Sequence, residues 1–342
     1  MTVTLDLFSE IIRGAYDVYK DDDGAIRTKR FSDKQAKIIA RDCEVNTHHH
    51  AGMRLDFTTD ASDISMSFRY IHNNSRLFMS IDIYEDGVMT GYFKDNNCID
   101  NRCGSFSHKF EKSGEKRVTV YLPFDVDLAF DKIELSGESH ITPYNDYTGY
   151  IYVIGDSITQ GYDAQFCSYS YVNTAMRSLG ADYINQGVGG YVYRAASLDP
   201  ELFANRKKPS AILVSYGSND WSGKTREKFE EETVEFYQKL REYYPDIPVL
   251  SLTPIWRSDY KRKTASGDFD YIRDFITKTA LSHKGISVLD GDKLTPHLSD
   301  FFLDVRLHPS DLGFTSFGIA VAQALSKVTG ITPPTDALTL NK

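Results

Sequence analysis

The sequence predicts an antiparallel β-sandwich over residues 1–145, followed over residues 146–342 by an α/β domain with a doubly wound, parallel, five-stranded sheet. Before residue 145, short segments alternate apolar and polar side chains between turn-forming residues, as antiparallel strands do. After it, apolar strands alternate with amphipathic helices, which is typical of βα units in a parallel sheet. A chain of 342 residues, 41% hydrophobic and 25% charged, is long enough for two cores.

Five segments of the first half have the alternation of strands. They cover residues 53–59, 63–70, 77–87, 116–123 and 130–137. Helical periodicity is expected only near the start of the chain. A polar stretch with one proline, residues 139–149, is predicted to be the domain junction.

The second half predicts five βα units. The expected strands are residues 151–154, 182–185, 211–217, 248–254 and 286–291. The expected helices lie near 168–179, 224–243, 269–283 and 315–327. Regular alternation of this kind predicts parallel strands joined by crossover helices.

Composition excludes several classes of partner. A net charge of −9 and the lack of a dense Lys/Arg cluster argue against nucleic acid. No segment approaches the ~20 apolar residues of a membrane helix, and the N-terminus lacks a secretory pattern, so we expect a cytoplasmic protein without a membrane partner. The cysteines lack paired zinc spacing and are predicted to be thiols: Cys43, Cys98, Cys103 and Cys167. The oligomeric state stays open.

Polar and glycine-rich blocks follow the predicted strands. They read Gly-Asp-Ser at 155–157, Asn-Gln-Gly-Val-Gly-Gly at 185–190 and Gly-Ser-Asn-Asp at 217–220, and Asp304 and His308 precede the last helix. Carboxyl ends of parallel strands converge on one crevice, so these blocks are expected to lie together. From its own segment alone, Ser157 is either a nucleophile or part of a helix cap, and Asp156 could equally be the cap.

Taken together, these four blocks resemble the SGNH (GDSL-type) hydrolases, named for a serine, a glycine, an asparagine and a histidine in such blocks. The resemblance covers residues 150–328. It implies a flavodoxin-like SGNH fold after a jelly-roll-like sandwich, and a serine ester hydrolase that needs no metal or other cofactor.

The resemblance also implies roles for individual residues. Ser157 becomes the nucleophile and His308 its general base, because a hydroxyl attacks an acyl carbon effectively only when an imidazole takes its proton. The oxyanion donors implied are the backbone N–H groups of Ser157 and Gly190 and the side-chain amide of Asn219. Gly187 is then expected to be a turn glycine.

One position departs from the family pattern. The acid that orients the histidine usually lies three residues before it, where this chain has Val305, whereas Asp304 lies four before. A spacing of four suits a helical segment, but the residue before a proline favours extended geometry. We therefore expect Asp304 to orient His308, and the alternative is a Ser–His dyad in which a backbone carbonyl holds the ring.

Three further features have functional alternatives. Trp221 and Trp256 follow strand ends and are predicted to bind substrate, or else to pack the rim of the crevice. The run from His48 to His50 resembles a metal site, but consecutive strand residues point to opposite faces, which favours a polar loop or interface segment. The glycines of 185–190 lack the spacing of a nucleotide loop.

The arrangement of a sandwich before an SGNH domain resembles carbohydrate esterases. We therefore expect removal of acetyl or other short acyl groups from a saccharide or similar small polar alcohol. The sandwich is expected to form one wall of the site. Two alternatives remain, a thioesterase or lysophospholipase acting on longer acyl chains, and a catalytically silent glycan-binding protein, because fold alone does not determine substrate.

Overall fold

A computed structural model describes residues 1–43 and 47–334. The chain divides into two compact units that interleave in sequence. The first comprises Met1–Phe31, Val45–Asp146 and Gln165–Ser168, and the second Ser32–Glu44, Tyr147–Ala164 and Tyr169–Lys342. The domain limits 1–145 and 146–342 stay a prediction, because the chain passes between the two compact units several times and not once.

Within the described residues, the first unit contains two antiparallel sheets and one α-helix, α1 (Leu5–Ile11). One sheet has the order β1-β4-β9-β6-β7, with β11 paired to β4. Its strands are β1 (Ile12–Arg13), β4 (Arg54–Thr59), β6 (Met79–Glu85), β7 (Val88–Asp95), β9 (Lys116–Tyr121) and β11 (Ile141–Pro143). The other has the order β2-β3-β10-β5-β8. Its strands are β2 (Asp17–Lys20), β3 (Ile26–Lys29), β5 (Asp63–Asn73), β8 (Cys103–Lys109) and β10 (Val126–Leu135).

Both sheets of the first unit contribute to one core. Along β5, every second side chain is buried, which places Ile64, Met66 and Phe68 inside. Leu55 and Phe57 of β4 belong to the same core cluster. Two antiparallel sheets that share a core form a sandwich, as the sequence predicted. The expected junction at 139–149 is partly strand, because β11 lies within it.

The second unit contains a parallel sheet and seven α-helices within the described residues. The strands are β12 (Tyr150–Gly155), β13 (Asp182–Gly187), β14 (Ala211–Ser215), β15 (Val249–Leu252) and β16 (Ile286–Leu289). The helices are α2 (Asp33–Cys43), α3 (Ser157–Gln160), α4 (Tyr171–Leu179), α5 (Ser218–Gly223), α6 (Arg226–Tyr243), α7 (Phe269–Leu281) and α8 (Asp311–Thr329).

The strand order β13-β12-β14-β15-β16 reverses direction at β12. Because parallel crossovers are right-handed, this reversal sends the helices to both faces of the sheet. The helices pack as pairs: Tyr171 of α4 stacks on Phe317 of α8 with ring centroids 4.0 Å apart, and Phe229 of α6 meets Phe275 of α7 at 5.4 Å. The predicted doubly wound α/β fold is confirmed.

The cysteines and the helices bear on two expectations from the sequence. All four cysteines are free thiols, as predicted. Within 1–43 and 47–334, none of the helices combines the length and apolar character that crossing a bilayer requires.

Candidate active site

The first three blocks lie at neighbouring strand ends. In the register of the sheet, Gly155 of β12 pairs with Gly187 of β13 on one side and with Ser215 of β14 on the other. The chain order reverses between β12 and β14, and a crevice forms at the carboxyl edge of the sheet where such a reversal occurs. The topology therefore brings the residues that follow these three strands to one edge.

Ser157 is the first residue of α3, and Asp156 is its N-cap. The Asp156 side chain accepts a hydrogen bond from the N–H of Ile158 at 3.0 Å, so the capping alternative applies to Asp156. The Ser157 hydroxyl instead lies 2.9 Å from Nε2 of His308. As the first helical residue, Ser157 also has a backbone N–H without an intrahelical acceptor.

His308 connects Ser157 to Asp304. Nδ1 of His308 lies 3.0 Å from Oδ2 of Asp304. An ionised carboxylate can only accept hydrogen bonds, so this contact places the proton on Nδ1 and leaves Nε2 as the acceptor for the Ser157 hydroxyl. The three side chains form a continuous hydrogen-bonded chain with the polarity that a general base needs.

The four-residue spacing between Asp304 and His308 is accommodated by a tight turn. Leu303 donates its N–H to the carbonyl of His308 at 2.9 Å, and Val305 adopts a φ of 58°. Oδ1 of Asp304 accepts the backbone N–H groups of Arg306, Leu307 and His308 at 2.9, 2.7 and 3.0 Å. The helical geometry considered for this segment is therefore wrong.

These bonds also keep Asp304 ionised. Burial opposes ionisation, but the hydrogen bonds from His308 and from the N–H groups of Leu307 and Arg306 outweigh it and hold the pKa of Asp304 well below its usual range. The acceptor for His308 thus stays charged throughout the range in which imidazole titrates.

The residues that the resemblance implies as oxyanion donors follow the two strands that flank β12 in the sheet. Gly190, just after β13, is exposed and has a φ of 78°, a conformation that glycine adopts without strain. Asn219, the second residue of α5, donates its side-chain amide to the carbonyl of Tyr191 at 3.0 Å, which fixes the amide and leaves its second N–H to act as a donor. Gly187 is the last residue of β13, and a Cβ there would lie 2.4 Å from the Gln160 nitrogen, so it serves close packing instead of a turn.

Residues 153–315 match the GDSL-like lipase/acylhydrolase family. This stretch is called the GDSL-type segment below. The recognition of an SGNH-type hydrolase is therefore confirmed, and it supports the predicted enzyme class, an esterase. A comparison with curated protein sequences gives no match.

Solved structures resemble the chain over nearly its whole length. The salicylyl-acyltransferase SsfX3 from a tetracycline biosynthetic pathway has a TM-score of 0.74 at 19% identity, covering 94% of this chain and 96% of its own. A protein described as a GDSL-like lipase from Bacteroides ovatus has a TM-score of 0.75 at 20% identity, covering 95% and 97%. A family two carbohydrate esterase from Clostridium thermocellum, in complex with cellohexaose, has a TM-score of 0.65 at 13% identity, covering 94% and 100%. These likenesses extend the shared fold to the sandwich.

Two further carboxyl groups lie within the GDSL-type segment next to the predicted site. Burial raises the pKa of Asp156 to about 7, although its bond from Ile158 and the nearby His308 favour the charged form. Burial also raises the pKa of Asp220, opposed by Lys224, whose ammonium lies 2.6 Å from Oδ1. Asp220 accepts the N–H of Tyr193 at 3.2 Å and so helps to hold the segment after Gly190.

Potential metal ligands converge at one point of the described residues. Asp163, Asp304 and His308 each offer a ligand atom, and these atoms lie within 4.8 Å of one another. Both ring nitrogens of His308 already face hydrogen-bonding partners. The absence of a metal cofactor stays a prediction.

The side chains of the run His48–His50 have different surroundings. His48 is exposed, whereas Nδ1 of His49 lies 3.3 Å from Asp125 and Nδ1 of His50 lies 3.0 Å from the carbonyl of Val126. Burial lowers the pKa of His50 to about 3. These two rings have separate partners, which agrees with the structural interpretation of this run.

The two tryptophans of the GDSL-type segment differ from each other. Trp221 is fully buried, packs against Phe269 and donates its ring N–H to the carbonyl of Gly267 at 2.9 Å. It is a core residue, so its assignment to substrate binding is wrong. Trp256 is half-buried and stacks on His297 with centroids 4.9 Å apart, and its role in binding stays a prediction.

Sequence reasoning missed one helix that supports the GDSL-type segment. Within the second unit, Gln35 of α2 donates to the side chain of Gln186 at 2.8 Å, and Cys43 lies 3.3 Å from the carbonyl of Gly189. The signal was present as a capping box: the hydroxyl of Ser32 accepts the N–H of Gln35, and the Gln35 side chain accepts the N–H of Ser32, both at 3.2 Å.

Proposed function

We propose that this protein is a serine ester hydrolase that removes acetyl or other short acyl groups from a carbohydrate or similar polar alcohol through an acyl-enzyme intermediate, without a metal. The observation that carries the proposal is the hydrogen-bonded chain from Ser157 through His308 to Asp304, with distances of 2.9 and 3.0 Å. It supplies a nucleophile, a base and an acid that orients the base.

The reaction would proceed in two halves. Ser157 Oγ attacks the acyl carbon while its proton passes to Nε2 of His308, and the carbonyl oxygen becomes an oxyanion. The N–H groups of Ser157 and Gly190 and the amide of Asn219 would stabilise that charge. When the intermediate collapses, His308 returns the proton to the leaving alcohol. Water, deprotonated by His308, then attacks the acyl-enzyme and releases the carboxylic acid and free Ser157.

The choice of a saccharide alcohol is supported by the Clostridium thermocellum neighbour, which is a carbohydrate esterase solved with cellohexaose. The alternative of longer acyl chains uses the same catalytic residues, and SsfX3 is an acyltransferase on the same fold. Acyl-chain length and the identity of the acceptor therefore distinguish the candidates.

The test combines variants with a panel of esters. Ser157→Ala should lower kcat by about 10⁴- to 10⁶-fold, because the nucleophile and base act as one unit. Ser197→Ala, a buried serine of the same unit that donates to the Arg194 carbonyl, is the matched control and should retain activity. A fluorophosphonate should modify Ser157 in the parent and the control, as read by peptide mass spectrometry, and chelator should leave turnover unchanged.

The substrate class is read from relative rates. Acetylated sugars and nitrophenyl acetate should be cleaved faster than nitrophenyl octanoate. A preference for octanoyl esters would replace the proposal with the long-chain alternative. Full turnover by Ser157→Ala would overturn the assigned nucleophile, and absence of both turnover and labelling in the parent would favour the silent glycan-binding protein.

A further inference from the structure

His308 has two carboxylates on the side that faces away from Ser157. Nδ1 lies 3.0 Å from Oδ2 of Asp304 and 3.5 Å from Oδ2 of Asp163. The Asp304 distance is that of a good hydrogen bond, whereas the Asp163 distance is at the outer limit of one and makes an ion pair only when His308 is protonated. The sequence comparison with the SGNH pattern pointed only to an acid shortly before the histidine, whereas Asp163 follows the nucleophile by six residues.

Asp163 is held in place by the turn that carries the nucleophile. After α3, the N–H of Tyr162 bonds to the carbonyl of Ser157 at 3.0 Å and the N–H of Ala164 bonds to the carbonyl of Gly161 at 3.0 Å. Asp163 itself has a φ of 73°, which few residues with a side chain adopt and which aspartate tolerates better than most. The same local structure therefore fixes both the hydroxyl of Ser157 and the carboxylate of Asp163.

The two carboxylates differ in their access to water. The side chain of Asp304 is 23% exposed and that of Asp163 is 3% exposed. Solvent and salt screen exposed charges more than buried ones. A charge on Asp163 at 3.5 Å therefore acts on the ring with less screening than a charge at the same distance on the surface.

We propose that Asp163 is a positioning residue that shares the Nδ1–H of His308 with Asp304 and stabilises the imidazolium formed when His308 takes the Ser157 proton. This inference rests on the proposed hydrolase function. It adds a second acid to the predicted triad, supplied by the turn after the nucleophile. Either carboxylate alone leaves a counter-charge beside Nδ1, whereas loss of both carboxylates leaves the imidazolium without one.

Several charged groups face His308 and contribute to the pH dependence of kcat/KM. Asp304 faces the ring from its own turn, Asp163 from the turn after α3, and Asp156 interacts with it electrostatically from the N-cap of α3. The ring of Tyr162 lies beside it with centroids 5.7 Å apart. The proposal requires that the Asp163 charge stabilise the imidazolium, so its removal should move the acid limb of kcat/KM to lower pH.

The experiment is a double-mutant cycle on the full chain. Asp163→Asn, which suits the positive φ, should lower kcat/KM about tenfold, and Asp304→Asn about a hundredfold. The kcat/KM of the double variant should fall about 10⁴-fold, more than the ~10³-fold product of the two single losses, because no carboxylate remains to balance the imidazolium charge. The acid limb should shift to lower pH in both single variants, and the downfield proton resonance of Nδ1–H should move in Asp163→Asn.

Controls separate positioning from folding. Asp199→Asn removes a buried aspartate of the same unit that bonds to Ser32, so it should leave the acid limb in place whatever its effect on melting. Asp163→Gly removes the carboxylate and relaxes the backbone, and should reproduce the shift of Asp163→Asn.

The outcomes distinguish this inference from the proposed function. An unshifted acid limb in both Asp163 variants, with single effects that multiply, would overturn the role of Asp163 while Ser157→Ala stays inactive. Full activity of Ser157→Ala would overturn the hydrolase mechanism itself.

Discussion

Asp156 is a buried carboxylic acid next to the proposed nucleophile, and its replacement by Asn should change how stability depends on pH. Burial raises the pKa of Asp156 to about 7 in the folded protein. In the unfolded chain it has its usual value near 3.8. The folded state therefore binds this proton more tightly, and the stabilisation is fully present below pH ~3.8 and is lost as the pH rises through ~7.

The magnitude follows from the shift. One pKa unit corresponds to about 1.4 kcal/mol, so Asp156 should lower the free energy of unfolding by up to about 4 kcal/mol between pH 4 and 8. Asn keeps the cap, because its side-chain oxygen can accept the Ile158 N–H as Asp156 does, but it carries no charge. Asp156→Asn should therefore match the parent near pH 4 and be more stable than the parent above pH 7.

The assay is urea unfolding of the parent and Asp156→Asn at several pH values from 4 to 8, followed by tryptophan fluorescence. Trp221 lies in the core of the same unit and reports its unfolding. Asp182→Asn, a half-buried aspartate at the start of β13, is the matched control and should follow the parent's pH dependence. A stability difference between Asp156→Asn and the parent that stays constant over this range would refute the reasoning.

The remaining predictions concern single side chains. Asn219→Ala should lower kcat about 10²- to 10³-fold with little change in KM, since an oxyanion donor acts in the transition state; an unchanged kcat would remove it from the site. Val305→Asn should raise the free energy of unfolding by about 1 kcal/mol, because Asn tolerates a positive φ better than Val; a loss of stability in urea titrations would contradict this. Trp221→Ala should lower the free energy of unfolding by about 3–5 kcal/mol, because it removes core packing. Trp256→Ala should instead raise KM for the sugar ester with a small change in stability, and an unchanged KM would remove Trp256 from substrate binding.

The strands that could be predicted are those whose burial pattern is local. β5 and β12 were found because alternation or an uninterrupted apolar run is visible within a few residues. β2, β7 and β8 were missed. Their side chains are mostly exposed or half-buried, so the sequence lacks the clear apolar pattern of a buried strand. Their pairing depends on backbone hydrogen bonds, which the residue types do not reveal.

The helix α2 shows a different limit. The residue pattern of its capping box, Ser32 and Gln35, is visible in the sequence. The sequence does not show to which of the two compact units the helix belongs. α2 follows first-unit strands in the chain and yet packs in the second unit, where Gln35 meets Gln186. Removal of residues 1–140, which a single domain boundary would suggest, would also remove this helix.

The sequence by itself determined the order of the polar blocks that follow the strands. With that order it determined the family resemblance and the choice of Ser157, Asn219 and His308 as candidate site residues, because residue type and position after a strand are local properties. Only the tertiary structure decided which acids face His308. Asp304 reaches the ring through a turn with a positive φ at Val305, and Asp163 reaches it from a position 145 residues earlier in the chain. Such contacts depend on how separate elements pack, and the spacing of two residues in the sequence does not give the distance between their side chains in the fold.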